Sequence, residues 1–135
     1  MGTLEPGGQV LVYANRINVS DVEVIGTFVT ERIARSVRAE RGSDERQVAR
    51  SVKAALLHVV GILQHALPLS REEDGDADSR KFLHLQIMTA WNTLWALASP
   101  WQWHENYDHE RWRHVKYWDA EQEAEQQSLL SPPSG

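Results

Sequence analysis

The chain has no cysteine in 135 residues. That excludes thiol catalysis, a CxxC redox pair, thiolate zinc ligation and a disulfide framework. A chain of this size can bury one core without such staples. Lysine is scarce too, standing only at Lys53, Lys81 and Lys116. No long apolar run is present. Phe82 to Trp101, within the longest uncharged stretch, carries His84, Gln86, Thr89, Asn92 and Thr93. A membrane span needs about 20 predominantly apolar residues, so this stretch reads as a helix inside a soluble fold. Met1 to Gly8 has neither a basic nor an apolar leader region. The expected setting is cytoplasmic, with no membrane partner. The net charge of −5 argues against nucleic-acid binding over the whole surface, though not against a local basic patch.

What is abundant is tryptophan. Six are present, all between Trp91 and Trp118. The order of elements explains some of them.

Residues 9–14 (QVLVYA) are β-favouring and read as a short arm. Ser20-Asp21-Val22-Glu23 has the spacing of a capping box. Val22, Ile25, Val29, Ile33 and Val37 follow at spacings of three and four, one face of a helix. Arg38 and Arg41 suit its last turn, and Gly42 suits a left-handed stop. Val22 to Thr30 is rich in β-branched residues, so a strand paired with Val10–Tyr13 is the alternative. Ser43 caps a second helix with Asp44 and Glu45 in its first turn. Pro68 is expected to end it, and the uncharged half from Ala54 to Ser70 is expected to pack deeply. A third helix is predicted over about 79–98, with Phe82, Leu83, Ile87, Trp91, Leu94, Trp95 and Ala98 on its apolar face. A fourth is predicted from Asn106 or Asp108, carrying Trp112, Val115 and Trp118.

Four helices of about 20–24 residues are about 30–36 Å long at 1.5 Å per residue. Similar lengths and short connections favour an all-α, antiparallel four-helix bundle with a short N-terminal β-like arm. An N-terminal β-hairpin with three helices is the other arrangement. The arm covers 1–19, the bundle 20–118, and an acidic, partly disordered tail 119–135.

Catalytic patterns are lacking. No serine sits in a G-x-S-x-G elbow, and no glycine loop of phosphate-binding form occurs. Asp74, Asp76 and Asp78 alternate, but the glycine and the twelfth position do not fit a calcium loop. His104, His109 and His114 are five apart, which turns neighbours by about 140° around a helix. H-E-x-x-H is absent. No catalytic residue, metal site or cofactor is assigned. His58 and His65 on the second helix and His84 on the third leave one exception, a bundle whose facing imidazoles hold a metal or haem. The plainer reading is three imidazoles hydrogen-bonded within the fold.

Two features invite partners. Trp101, Trp103, Tyr107, Arg111 and Tyr117 combine the residue types of interface hot spots. They are assigned as partner-facing, whereas Trp91 and Trp95 read as core. Residues 32–53 carry seven basic and three acidic side chains. Within them Arg35, Arg38, Arg46, Arg50 and Lys53 form a candidate nucleic-acid surface in a setting that resembles a helix-turn-helix. Arg38 stands where that motif needs a small residue, and Ser51 where it needs a core contact. The same cations could meet an acidic protein surface, the chain's own tail included. The expected function is a non-enzymatic protein–protein interaction module (adaptor, assembly component or inhibitor) that self-associates or binds another protein. Nucleic-acid binding is the alternative.

Overall fold

The computed structural model describes residues 10–72 and 76–117. Three α-helices run through them: α1 (Val19–Val37), α2 (Asp44–Ser70) and α3 (Ala77–Ala98). Two short 3-10 turns, Ala14–Arg16 and Ser99–Trp101, flank the set. The architecture is all-α, and no strand occurs among the described residues. α2 packs against both α1 and α3, and α1 also touches α3.

Each helix start has a local cause. Asn18 caps α1: its side chain accepts from the Asp21 amide at 2.9 Å, and the Asp21 carboxylate accepts from the Asn18 amide at 3.0 Å. This reciprocal box lies two residues before the expected Ser20–Glu23 pair. Ser20 instead donates its hydroxyl to Asn18. Val22 to Thr30 is helical despite its β-branched residues, because Val22, Ile25 and Val29 all point into the core. Ser43 caps α2 and Asp76 caps α3. The Ser79 amide and hydroxyl at the Asp76 cap hold its carboxyl below the usual range. α1 stops at Val37, earlier than expected, and Gly42 takes the left-handed conformation (φ 84°) that redirects the chain into α2. Pro68 does not end α2, which continues to Ser70. A proline in a final turn forfeits one backbone bond without breaking a following one.

The core joins Ile17, Val22, Ile25 and Val29 to Leu56 and Leu63 of α2 and to Ile87, Trp91 and Leu94 of α3. Leu11, Trp112 and Val115 complete it from the two chain ends. Phe82, expected in the apolar face of α3, is 68 % exposed.

The fourth helix does not form in the described residues. Residues 102–117 make turns that lie across α1 and α3. Their backbone is engaged elsewhere. The Leu11 amide donates to the Glu110 carbonyl at 2.8 Å, and the Lys116 amide donates to Val12 at 2.9 Å. Tyr13 and Lys116 form an isolated parallel bridge. The extended residues 10–13 therefore pair with this C-terminal segment, not with Val22–Thr30. Residues 1–9 of the expected arm, Trp118 and the expected acidic tail lie outside the described residues.

The other correction concerns α2. It is long and apolar enough to cross a membrane, by length and composition alone, yet only 28 % of its most apolar stretch is buried. Three helices give α2 two neighbours and leave its third side open. Ala54, Leu57, His58, Gly61, Gln64 and His65 are exposed there, where deep packing was expected.

Candidate interaction surface

The C-terminal segment is built inward. Tyr107 and Arg111, expected to face a partner, are 8 % and 7 % exposed. Tyr107 stands edge-on to Trp112 at 5.0 Å between ring centroids, and both rings pack on Phe28 of α1. Its hydroxyl donates to the Trp112 carbonyl at 3.3 Å, and burial pushes its pKa up. Arg111 forms a two-pronged ion pair with Asp21. The Trp91 indole N–H donates to the Arg113 carbonyl at 2.8 Å. The Asn92 side chain both donates to the Val115 carbonyl and accepts from the Val115 amide. A segment without regular structure thus has its buried polar groups satisfied by three distant side chains. What remains outward of the expected set is Trp103, 87 % exposed, with Trp101 and Tyr117 half-buried.

The basic set behaves differently. Arg38, Arg46, Arg50 and Lys53 line one groove of about 700 Å³, floored by Val37, Ala54 and Leu57. The turn after α1 brings Arg38 to the first half of α2. Arg46, Arg50 and Lys53 follow at helical spacings of four and three, on the side of α2 next to α1. Among the described residues no ion pair joins any of the four to a carboxylate. The Arg46 guanidinium donates to the Ala39 carbonyl, at 3.5 Å. Arg35 is exposed on α1 outside this groove. Arg32, from the same basic run, turns inward. It lies over the Phe28 ring, contacts His104 and pairs with Glu31 at 3.7 Å.

The groove does not end at Leu57. A second depression of about 300 Å³ continues between α1 and α2, lined by Glu23, Thr27, Glu31, Leu57, Val60 and Gln64. Leu57, 60 % exposed, borders both. One face therefore carries four cations at one end, an apolar centre at Leu57, and Glu23, Thr27 and Glu31 along its α1 side, with Gln64 beyond Val60 on α2. The apolar centre was missed because an uncharged half-helix was read as buried. The signal was present: Arg50, Ala54, Leu57, Gly61 and Gln64 recur at spacings of three and four, and this row mixes charged, small and polar residues unlike the core row Leu56, Val59, Leu63 and Ala66.

His58 and His65 are exposed on α2, turned away from the interhelical core where facing imidazoles would be needed. His84 is half-buried, its pKa lowered by burial and by the Arg80 cation. Among the described residues no group of three or more His, Asp or Glu side chains could hold a metal ion.

Comparison of the chain with protein-family models, with curated proteins and with solved structures finds no match.

Proposed function

We propose that this protein is a non-enzymatic interaction module that docks a protein partner on the α1–α2 face. The observation that carries this reading is the groove of Arg38, Arg46, Arg50 and Lys53, four cations without a carboxylate partner among the described residues, running into the exposed Leu57. Cations set beside an apolar centre suit a protein surface: the charges steer and orient, and the apolar contact supplies most of the binding free energy. The expected C-terminal surface contributes less, because Tyr107 and Arg111 are committed to the fold. Trp103 remains available at its edge.

The test compares two variants of the full chain, Arg50→Glu/Lys53→Glu and Trp101→Ala/Trp103→Ala, in affinity capture from the native host after nuclease treatment. Stoichiometric protein should be lost with the groove variant and kept with the tryptophan variant. Equal recovery with all three chains would contradict the reading.

A second reading, nucleic-acid binding, is favoured by the same cluster of guanidinium groups. It predicts affinity falling steeply with salt. Glu23 and Glu31 on the same face weigh against it, since they repel a phosphate backbone that follows the groove.

A further inference from the structure

The spacing of the side chains along the α1–α2 groove defines the shape of what can lie in it. On α2 the row is Arg46, Arg50, Lys53, Leu57, Val60 and Gln64, at steps of four, three, four, three and four. On α1, Glu23, Thr27, Thr30 and Val37 line the other wall at steps of four, three and seven. From Arg46 to Gln64 the row is about 27 Å long at 1.5 Å per residue. The surface between the walls is built of small groups. A Cβ on Gly26 would touch Val60 Cγ2 at 3.5 Å, so the two helices stand close there. A Cβ on Gly61 would meet nothing within 4 Å, and Ala54 and Leu57 are exposed beside it.

Two walls with steps of three and four accept another helix, whose own side chains recur at the same steps. An extended peptide fits less well. Its same-face side chains recur every 6.4–6.8 Å or so, against a mean of about 5.4 Å along this row. Its backbone N–H and C=O groups would also find few partners on two helices whose own are already paired. A docked helix satisfies its backbone internally.

Charge sets the composition of that helix. Arg46, Arg50 and Lys53 repel one another along α2, and the turn after α1 adds Arg38. Among the described residues no ion pair joins them to a carboxylate. Carboxylates at steps of four and three on a docked helix meet all three cations of the row at once. Apolar side chains four and then three residues further on meet Leu57 and Val60. Glu23 and Glu31, the latter paired with Arg32, stand on the α1 wall. The docked helix therefore keeps its carboxylates on its α2 side and neutral groups toward α1.

We propose that the occupant of the α1–α2 groove is one amphipathic helix of a protein partner. Its carboxylates lie over Arg46, Arg50 and Lys53, and its apolar side chains over Leu57 and Val60. This rests on the reading of the face as a docking surface and names the chemistry of its partner.

Fluorescence anisotropy of labelled peptides against the full chain tests it. The first probe is a helical alanine–glutamine peptide of roughly eighteen residues, long enough to span the row. It carries three glutamates and two leucines in the stated register and is made in both chain orders. The second probe has the same composition with those five side chains scattered around the helix. The third carries lysine in place of glutamate. The first probe should bind in one chain order at least about tenfold tighter than the second, and weaken with added salt. Arg50→Glu/Lys53→Glu should lose the first probe and take the third, a reversal that no loss of folding could produce. Gly61→Trp, verified as folded by circular dichroism, should exclude the first probe, because its ring stands in the groove beside Leu57 and Gln64. Equal binding of the first and second probes would overturn the proposal, since charge alone would then suffice. So would binding indifferent to Arg50→Glu/Lys53→Glu, preference for a single-stranded oligonucleotide of equal charge, or no binding up to millimolar peptide. A wild type that sediments as a dimer and takes the probe only on dissociating would make a second copy the occupant and overturn it too. If the first probe fails while affinity capture still depends on Arg50 and Lys53, the helix falls as occupant and the docking surface stands. If both fail, both readings fall.

Discussion

Arg111 closes its guanidinium fork on Asp21, ninety residues earlier in the chain, with Nε at 3.0 Å from one carboxylate oxygen and Nη2 at 2.5 Å from the other. Asp21 is also the N3 residue of the α1 capping box. One carboxylate therefore fixes the start of the first helix and anchors the irregular C-terminal segment over it. Both side chains are 9 % exposed. Removing one partner leaves the other charged and poorly solvated, so Arg111→Ala should cost about 3–5 kcal/mol in urea unfolding. Arg111→Lys should fall between the two, since it keeps the charge and loses the second prong. A cost under about 1 kcal/mol would mean that the pair behaves as an exposed one.

Trp91 tests the same join from the α3 side. It is fully buried, and its indole N–H donates to Arg113. Trp91→Phe keeps an aromatic ring but removes the donor and some volume. The expected loss is about 1–3 kcal/mol. Increased hydrogen exchange of amides in residues 111–116, ahead of those in α2, should accompany it.

Two glycines should respond in opposite directions to alanine. Gly42 holds φ at 84°, which costs an alanine strain even though nothing crowds its Cβ. Gly42→Ala should destabilise by about 1 kcal/mol. Gly61 is helical, with open space above it. Gly61→Ala should stabilise the monomer by up to about 1 kcal/mol through helix propensity. Thermal unfolding of the two variants beside the wild type decides this.

His84 gives the fold a dependence on pH with a fixed sign. Burial, and then the Arg80 cation, lower its pKa from 6.5 in the folded chain. As pH falls through 6.5 the unfolded chain takes the proton first, so the equilibrium moves toward unfolding until the folded pKa is passed as well. Denaturant midpoints between about pH 7.5 and about pH 5.5 should drop more for the wild type than for His84→Gln. Parallel curves would show that the fold is indifferent to this proton.

Much of the fold was legible locally. Ser43 with Asp44 and Glu45, and the stripe from Val22 to Ile33, place α1 and α2 because caps and periodicity are properties of neighbouring residues. The segment around Trp112 was not legible in this way. Only Trp112 and Val115 suggest a period within it, and the amide partners that hold it are Val12 and Glu110 with Leu11, pairings made between the two ends of the chain. Arg111 and Tyr107 were taken as surface residues because their type is common at interfaces. Asp21 and Phe28, which bury them, stand far away in sequence. The absence of charge from Ala54 to Ser70 was read as burial, but uncharged residues such as Ala54, Leu57, Gly61 and Gln64 stand exposed where no described helix covers α2. The cationic cluster survived the passage to three dimensions because Arg38, Arg46, Arg50 and Lys53 are joined by one short turn.

The central claim is that the α1–α2 face, and not the tryptophan-rich end, is where this protein is bound. Affinity capture with the wild type beside Arg50→Glu/Lys53→Glu and Trp101→Ala/Trp103→Ala addresses it most directly. The account predicts that the bound protein is lost with the groove variant and kept with the tryptophan variant. Loss with the tryptophan variant alone, or equal recovery with all three chains, would contradict it.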